Sequence, residues 1–237
     1  MENQNEGFFR KIRLYAIIIG VAYLILQHCF YLAGHYLAEW IGFEAFLPKI
    51  AWDDKIPILS VFIIPYIWSY LYWAMGPMAV SVCEKRHFAD YMAANLLSCI
   101  GGMLLLAFFP TYMDRAAEGL YVVGEHPTVF DKLRQFWYSL DGATLAYNLL
   151  PSFHCINSTL CYLGVAGRRE IPRWYRIYSL LTTLLIYAST VYVKQHYVLD
   201  IFAGVGLALL VYFLCKKYHL GRIFAPLEKM AVKGKKA

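Results

Sequence analysis

The stretch from Leu14 to Tyr36, LYAIIIGVAYLILQHCFYLAGHY, contains no Lys, Arg, Asp or Glu. At 1.5 Å per residue such a helix measures about 34 Å, enough to cross the roughly 30 Å hydrocarbon core of a bilayer. It is too long for the apolar region of a secretory signal, and no small-x-small cleavage pattern follows it, so it reads as a retained spanning helix. The rest of the chain repeats the theme. Of the 237 residues, 60% are hydrophobic and only 16% charged, with a mean hydropathy of +0.47. Soluble domains carry about 25% charged residues. This chain therefore lacks the polar side chains to cover a folded surface in water, and lipid is the expected solvent.

Five further apolar segments follow: Ile56 to Val82, Asp90 to Phe109, Ser152 to Gly167, Trp174 to Val193 and Val198 to Cys215. The expected fold class is all-α, a six-transmembrane-helix bundle forming a single integral membrane domain over residues 1–237. The fourth and sixth segments are short, and the ionisable residues at their beginnings suggest burial within the bundle.

The formal charge of +6 is not gathered on one face, as nucleic-acid binding would need, so no nucleic-acid partner is expected. The bases instead set topology. Arg10, Lys11 and Arg13, Lys85 and Arg86, Arg168, Arg169, Arg173 and Arg176, and a basic tail over about 216–237 fall on one side, sixteen in all against six on the other. Cytoplasmic loops carry the excess of Lys and Arg, which places both termini in the cytoplasm and turns loops 37–55, 110–151 and 194–197 outward. Within the long outer loop, Thr128 to Leu140 carries Phe130, Leu133, Phe136, Trp137 and Leu140 on one helical stripe, with Asp131, Lys132, Arg134 and Gln135 largely opposite. This predicts a helix that either lies in the membrane interface or caps the bundle. The six cysteines show no Cys-x-x-Cys or metal-ligand spacing, so neither a disulfide scaffold nor a metal site is expected.

Three polar clusters fall at outer helix ends: Phe109-Pro110-Thr111-Tyr112-Met113-Asp114-Arg115, Pro151-Ser152-Phe153-His154 and His196-Tyr197-Val198-Leu199-Asp200. If the last helix begins by His196, that imidazole and Asp200 share a face. The carboxylate then fixes one ring nitrogen and leaves the other as a nucleophile. A capping pair with no chemistry is the alternative for these two residues taken alone. Pro151-Ser152 is a helix start with Ser152 as N-cap, which would aim free backbone N–H groups and the positive end of the helix dipole at an anion such as phosphate. His154 in the first turn could protonate a leaving oxygen. Arg115 offers a fork of donors matched to phosphate oxygens.

Pro-Ser-x-His followed by His-x3-Asp resembles the type-2 phosphatidic acid phosphatase superfamily, over about residues 90–215. The resemblance implies an all-α membrane bundle of six helices and a reaction without metal or other cofactor. It assigns His196 as the residue that forms a phosphohistidine, Asp200 as its orienter, His154 as the acid for the leaving alkoxide and Arg115 as a phosphate ligand, on a membrane lipid phosphate or phospholipid substrate.

This sequence departs from the family pattern of Lys-x6-Arg-Pro and Ser-Arg-x5-His-x3-Asp. Phe108 stands where the lysine belongs, Ala116 where the proline belongs and Thr190 where the second arginine belongs, while Ser189 matches. Lys194 could partly replace the missing cations or simply snorkel to the interface. Fewer cations favour a phosphodiester monoanion over a monoester dianion. That resembles the branch holding inositol phosphorylceramide and sphingomyelin synthases, as do Asn148, given a supporting role, and Asp141, given at most that of a cap.

The leading expectation is a lipid phosphatase with water as acceptor. The alternatives are a head-group phosphotransferase and a proton-coupled carrier; carriers usually place ionisable groups near the bilayer midplane, whereas these segment middles are almost free of charge. The aromatics Tyr66, Trp68, Tyr70, Tyr72 and Trp73 could line an access groove or serve as packing and interface belt. His28, His35, His87 and His126 show no spacing that ties them to the site. Oligomeric state is not legible.

Overall fold

The computed structural model describes residues 4–121, 124–140 and 145–224. It is mostly helical: α1 (Gln4–Lys11), α2 (Leu14–Ile41), α3 (Ile63–Val80), α4 (Lys85–Phe108), α5 (Val129–Leu140), α6 (Phe153–Val165), α7 (Arg173–Tyr192) and α8 (Val198–Tyr218). Two three-residue strands, β1 (Tyr112–Asp114) and β2 (Leu145–Tyr147), pair antiparallel with Met113 opposite Ala146. Asp141 and the tail from residue 225 lie outside the described residues.

Each expected apolar segment contains a helix, with shifted ends. The second begins seven residues later than expected, at Ile63, because residues 56–59 are non-helical and Ser60–Phe62 forms a short 3-10 turn. The first runs on to Ile41, where Gly42 closes it in the left-handed conformation at φ 79°. The helices α2, α4 and α8 are long and apolar enough to cross a membrane. Their outward faces carry exposed apolar side chains, among them Leu14, Ile18 and Ile25 on α2 and Phe202, Leu210 and Phe213 on α8.

The helix α6 is of another kind. Its 13 residues span only about 20 Å, and it carries no exposed large apolar side chain; every residue except Tyr162 and Leu163 is buried. It packs against α3, α7 and α8, with Phe153, Ile156, Leu160 and Val165 set among Val80, Tyr91, Leu106 and Tyr212. Because protein surrounds it, polar side chains at its middle find partners inside the bundle: Asn157 accepts from the Tyr23 hydroxyl (2.6 Å) and donates to Gln27 (3.0 Å), and Trp73 donates to Ser158 (3.0 Å).

The connections at one end of the bundle are tied together. Phe46 pairs with Thr111, Leu59 donates to the Tyr192 carbonyl (3.0 Å), and the Asn148 N–H reaches the Thr111 carbonyl (3.2 Å). The helix α5 lies among these connections. Its polar side is not wholly turned to water as the sequence pattern suggested. Arg134 and Tyr138 are buried beneath it, because the Arg134 guanidinium finds Ser60 Oγ, the Leu120 carbonyl and the Tyr138 hydroxyl at 3.0 Å each. Val129, Phe136 and Leu140 are exposed instead.

Candidate active site

The segment joining α7 to α8 is held from several sides. Lys194 adopts φ 51°, and the Thr190 carbonyl accepts from both the Gln195 N–H (2.9 Å) and the His196 N–H (3.0 Å). Tyr138 donates to the Val193 carbonyl at 2.6 Å, and the Tyr197 hydroxyl donates to Glu118. Burial and that carboxylate push the Tyr197 phenol well above its ordinary range. Asp53, in a 3-10 turn before α3, accepts from the Val198 N–H (2.9 Å) at the first turn of α8 and from the Ile50 N–H (2.8 Å). This capping carboxylate comes from 145 residues away and has no signal in the local sequence.

The helix α8 starts at Val198 with Tyr197 as its N-cap, so His196 precedes the helix and does not share a helical face with Asp200 as expected. The two meet for a different reason. Asp200 sits at the third helical position, where a carboxylate reaches back to the cap. Its Oδ2 accepts from the Tyr197 N–H at 2.8 Å and lies 3.3 Å from His196 Nδ1. The carboxylate is fully buried.

Ser152 caps α6, its hydroxyl accepting from the Cys155 N–H at 3.4 Å, but the expectation of backbone donors facing open water is not met. The residue is completely buried, its own N–H donates to the Asp200 carbonyl (3.1 Å), and Gly204 of α8 lies against it. This seam brings His154 and His196 together, with ring centroids 5.8 Å apart.

Both imidazoles line one cavity of about 120 Å³, with Gln27, His28 and Tyr31 of α2, Tyr66, Tyr70 and Trp73 of α3, Trp137 of α5, Tyr147 to Leu149 and Gln195. That is close to the 150 Å³ that accommodates benzene in a dry protein cavity. It suits a phosphoryl group and a small substituent. Tyr66 stacks on His154 at 4.2 Å, with Trp73 (4.9 Å) and Tyr70 (5.6 Å) edge-on. Of the five aromatics singled out on this helix, three are cavity walls. Tyr72 instead bonds Ser179 and Trp68 bonds Tyr178. His154 Nε2 has no hydrogen-bond partner among the described residues.

Asn148, at φ 62°, lines the cavity. Arg115 does not. It is fully buried one layer behind, its guanidinium 4.5 Å from the Tyr138 ring centroid and donating to Gln195 Oε1 at 2.7 Å. Lys194 is not brought to the cavity either. Its ammonium donates to the Asp53 carbonyl (2.9 Å), and burial holds it below the ordinary lysine range. Gln195, Gln27 and His28, cavity residues all, carry no sequence signal beyond Gln195's place beside His196. Among the described residues no group of three or more His, Cys, Asp or Glu side chains converges as a metal site would require.

A family model described as the PAP2 superfamily matches residues 38–214. Neither the curated proteins nor the solved structures contain a match to the chain.

Proposed function

Because the chain belongs to the PAP2 superfamily, the type-2 phosphatidic acid phosphatases, we propose that it is an integral membrane enzyme that cleaves a phosphate ester of a membrane lipid through a phosphohistidine at His196. The observation that carries this reading is the pair of imidazoles facing one small cavity, one of them backed by a buried carboxylate. In this reading α3, α6 and α7 join α2, α4 and α8 as six spans, with α5 as the outer interfacial helix. Both termini are cytoplasmic, as the Lys and Arg distribution favours, and the cavity opens on the extracytoplasmic side of the cell membrane.

Asp200 accepts from His196 Nδ1–H and so leaves the lone pair on Nε2. Nε2 attacks phosphorus. The N–P bond forms as the P–O bond to the lipid alcohol breaks, and His154 gives its proton to the departing oxygen. Water then attacks phosphorus, His154 takes a proton from it, and the N–P bond breaks to release phosphate or a phosphorylated head group. The step calls on these side chains and water alone.

The test is product release from a panel of lipid phosphates, in EDTA, by the wild type, His196→Ala and His154→Ala. His196→Ala is expected to abolish turnover, and His154→Ala to slow it by about 10²- to 10⁴-fold. Unchanged rates in either variant reject the assignment. The absence of Lys and Arg from the cavity wall, among the described residues, favours a second reading in which a lipid hydroxyl replaces water and a head group is transferred. A new head-group lipid formed on adding ceramide or diacylglycerol identifies that reaction.

A further inference from the structure

The cavity beside His196 is walled by aromatics, histidines and neutral amides, with the guanidinium of Arg115 held behind Gln195. An arginine can only donate, so the Gln195 atom it meets at 2.7 Å is the amide oxygen. That fixes the orientation of a side chain that is only 3% exposed, and its amide nitrogen has no partner among the described residues. Leaving a buried N–H₂ without a partner is unfavourable. It sits on the residue next to the nucleophile, in a side chain that lines the nucleophile's cavity.

We propose that the side-chain amide of Gln195 is the donor that binds a phosphate oxygen beside His196, with Arg115 behind it, and that this pair selects phosphodiester monoanions over phosphomonoester dianions. The inference rests on the proposed phosphoryl chemistry and names the substrate class for it. The hydrogen bond from Arg115 polarises the amide, so its N–H₂ is a stronger donor than an isolated glutamine. The arrangement passes the influence of the Arg115 charge to the phosphate without placing the guanidinium against it. Asp200, behind His196, supplies a nearby carboxylate of opposite sign to Arg115. A dialkyl phosphate brings one negative charge into this surrounding. A monoalkyl phosphate brings about two above its second pKa near 6, and desolvating the second charge among Tyr66, Tyr70, Trp73 and Trp137 has no Lys or Arg on the wall, among the described residues, to offset it.

The test uses the full chain in detergent at pH 8, with diethyl phosphate and ethyl phosphate as probes. Binding is read by the fluorescence of Trp73 and Trp137, which line the cavity. The wild type is expected to bind diethyl phosphate at least tenfold more tightly than ethyl phosphate. Gln195→Glu is the decisive variant. It keeps an acceptor for Arg115, so a merely structural role is preserved and the thermal midpoint does not fall, but it replaces the donor by a carboxylate oxygen that repels the phosphate. Diethyl phosphate binding should then drop by 100-fold or more. Gln195→Met, which loses the donor without adding charge, should weaken it by roughly 10- to 100-fold, the loss expected for a hydrogen bond to a charged group. Gln195→Glu binding within threefold of wild type, or equal or tighter binding of ethyl phosphate by the wild type, overturns the proposal, as does failure of the wild type to bind either probe. His196→Ala separates the two claims, since it should retain selective binding while losing turnover. Turnover that survives in it sinks the phosphohistidine and leaves the anion preference standing.

Discussion

Gly204→Ala tests whether the α6–α8 seam sets the catalytic geometry. A Cβ at this position would lie 2.6 Å from the Ser152 carbonyl oxygen and 3.1 Å from Cys155 Cβ, about 0.8 Å inside the 3.4 Å at which ordinary contact begins for the oxygen. The obstacle is backbone, so no rotamer change relieves it and the two helices must separate. Overpacking of this kind costs about 1–3 kcal/mol, and replacing a helical glycine by alanine returns roughly 0.5–1 kcal/mol. The net loss of stability is therefore about 0–2.5 kcal/mol, a fall of at most roughly 10 °C in thermal midpoint. The effect on chemistry is larger. His154 is two residues beyond Ser152 on α6, and His196 is held by Asp200 on α8, so separation widens the 5.8 Å between their rings directly. A misplacement near 1 Å costs about 10²-fold in rate. Initial rates at saturating substrate in mixed micelles, with a tryptophan-fluorescence melt on the same preparation, give both quantities. Gly206→Ala is the control, because a Cβ there meets nothing within 4 Å, and it should keep wild-type rate. A Gly204→Ala enzyme with kcat within threefold of wild type would refute the claim that this seam sets the distance between the two imidazoles.

Asp200→Asn should fold, because the amide oxygen can still accept from the Tyr197 N–H, yet it no longer enforces the His196 tautomer. A fall in kcat of about 10²- to 10⁴-fold with little change in melting is expected from steady-state kinetics. The Asp131 carboxyl is held down to about 2 by the Ser60 hydroxyl (2.5 Å) and by the Thr128 hydroxyl (2.6 Å) and N–H (2.9 Å). Its folded value lies below the unfolded one, so its contribution is present above about pH 4 and is lost as the pH falls toward 2. Pepsin cleavage within residues 124–140, followed by mass spectrometry, should accelerate over that window in the wild type, and Asp131→Asn should flatten the pH dependence.

The apolar segments were legible because lipid leaves a strong compositional signal, and their ends were less so. The run at 56–62, non-helical over 56–59 and then a short 3-10 turn, is as apolar as the helix that follows it, and hydropathy cannot mark where α-helical hydrogen bonding begins. The helix α5 shows the opposite limit. Its apolar stripe identified it as a helix, but the same pattern implied that Arg134 faces water. Burial of that guanidinium depends on the Leu120 carbonyl and on Ser60, 74 residues away, and no local periodicity encodes such partners.

The site divides along the same line. That His154, His196 and Asp200 come together was legible because their short motifs fall at outer helix ends. The rest of the cavity wall was not, since the missing family cations left Arg115 and Lys194 as the remaining basic candidates, and spacing cannot tell which points inward. The structure turns Lys194 to the Asp53 carbonyl and places Arg115 behind Gln195. A neutral amide beside a histidine has no distinguishing pattern in a sequence. It becomes noticeable only when burial, a fixed orientation and an unpartnered nitrogen coincide at one cavity wall. A charge held behind a neutral side chain, as Arg115 is behind Gln195, is therefore the part of such a cavity that residue counting misses.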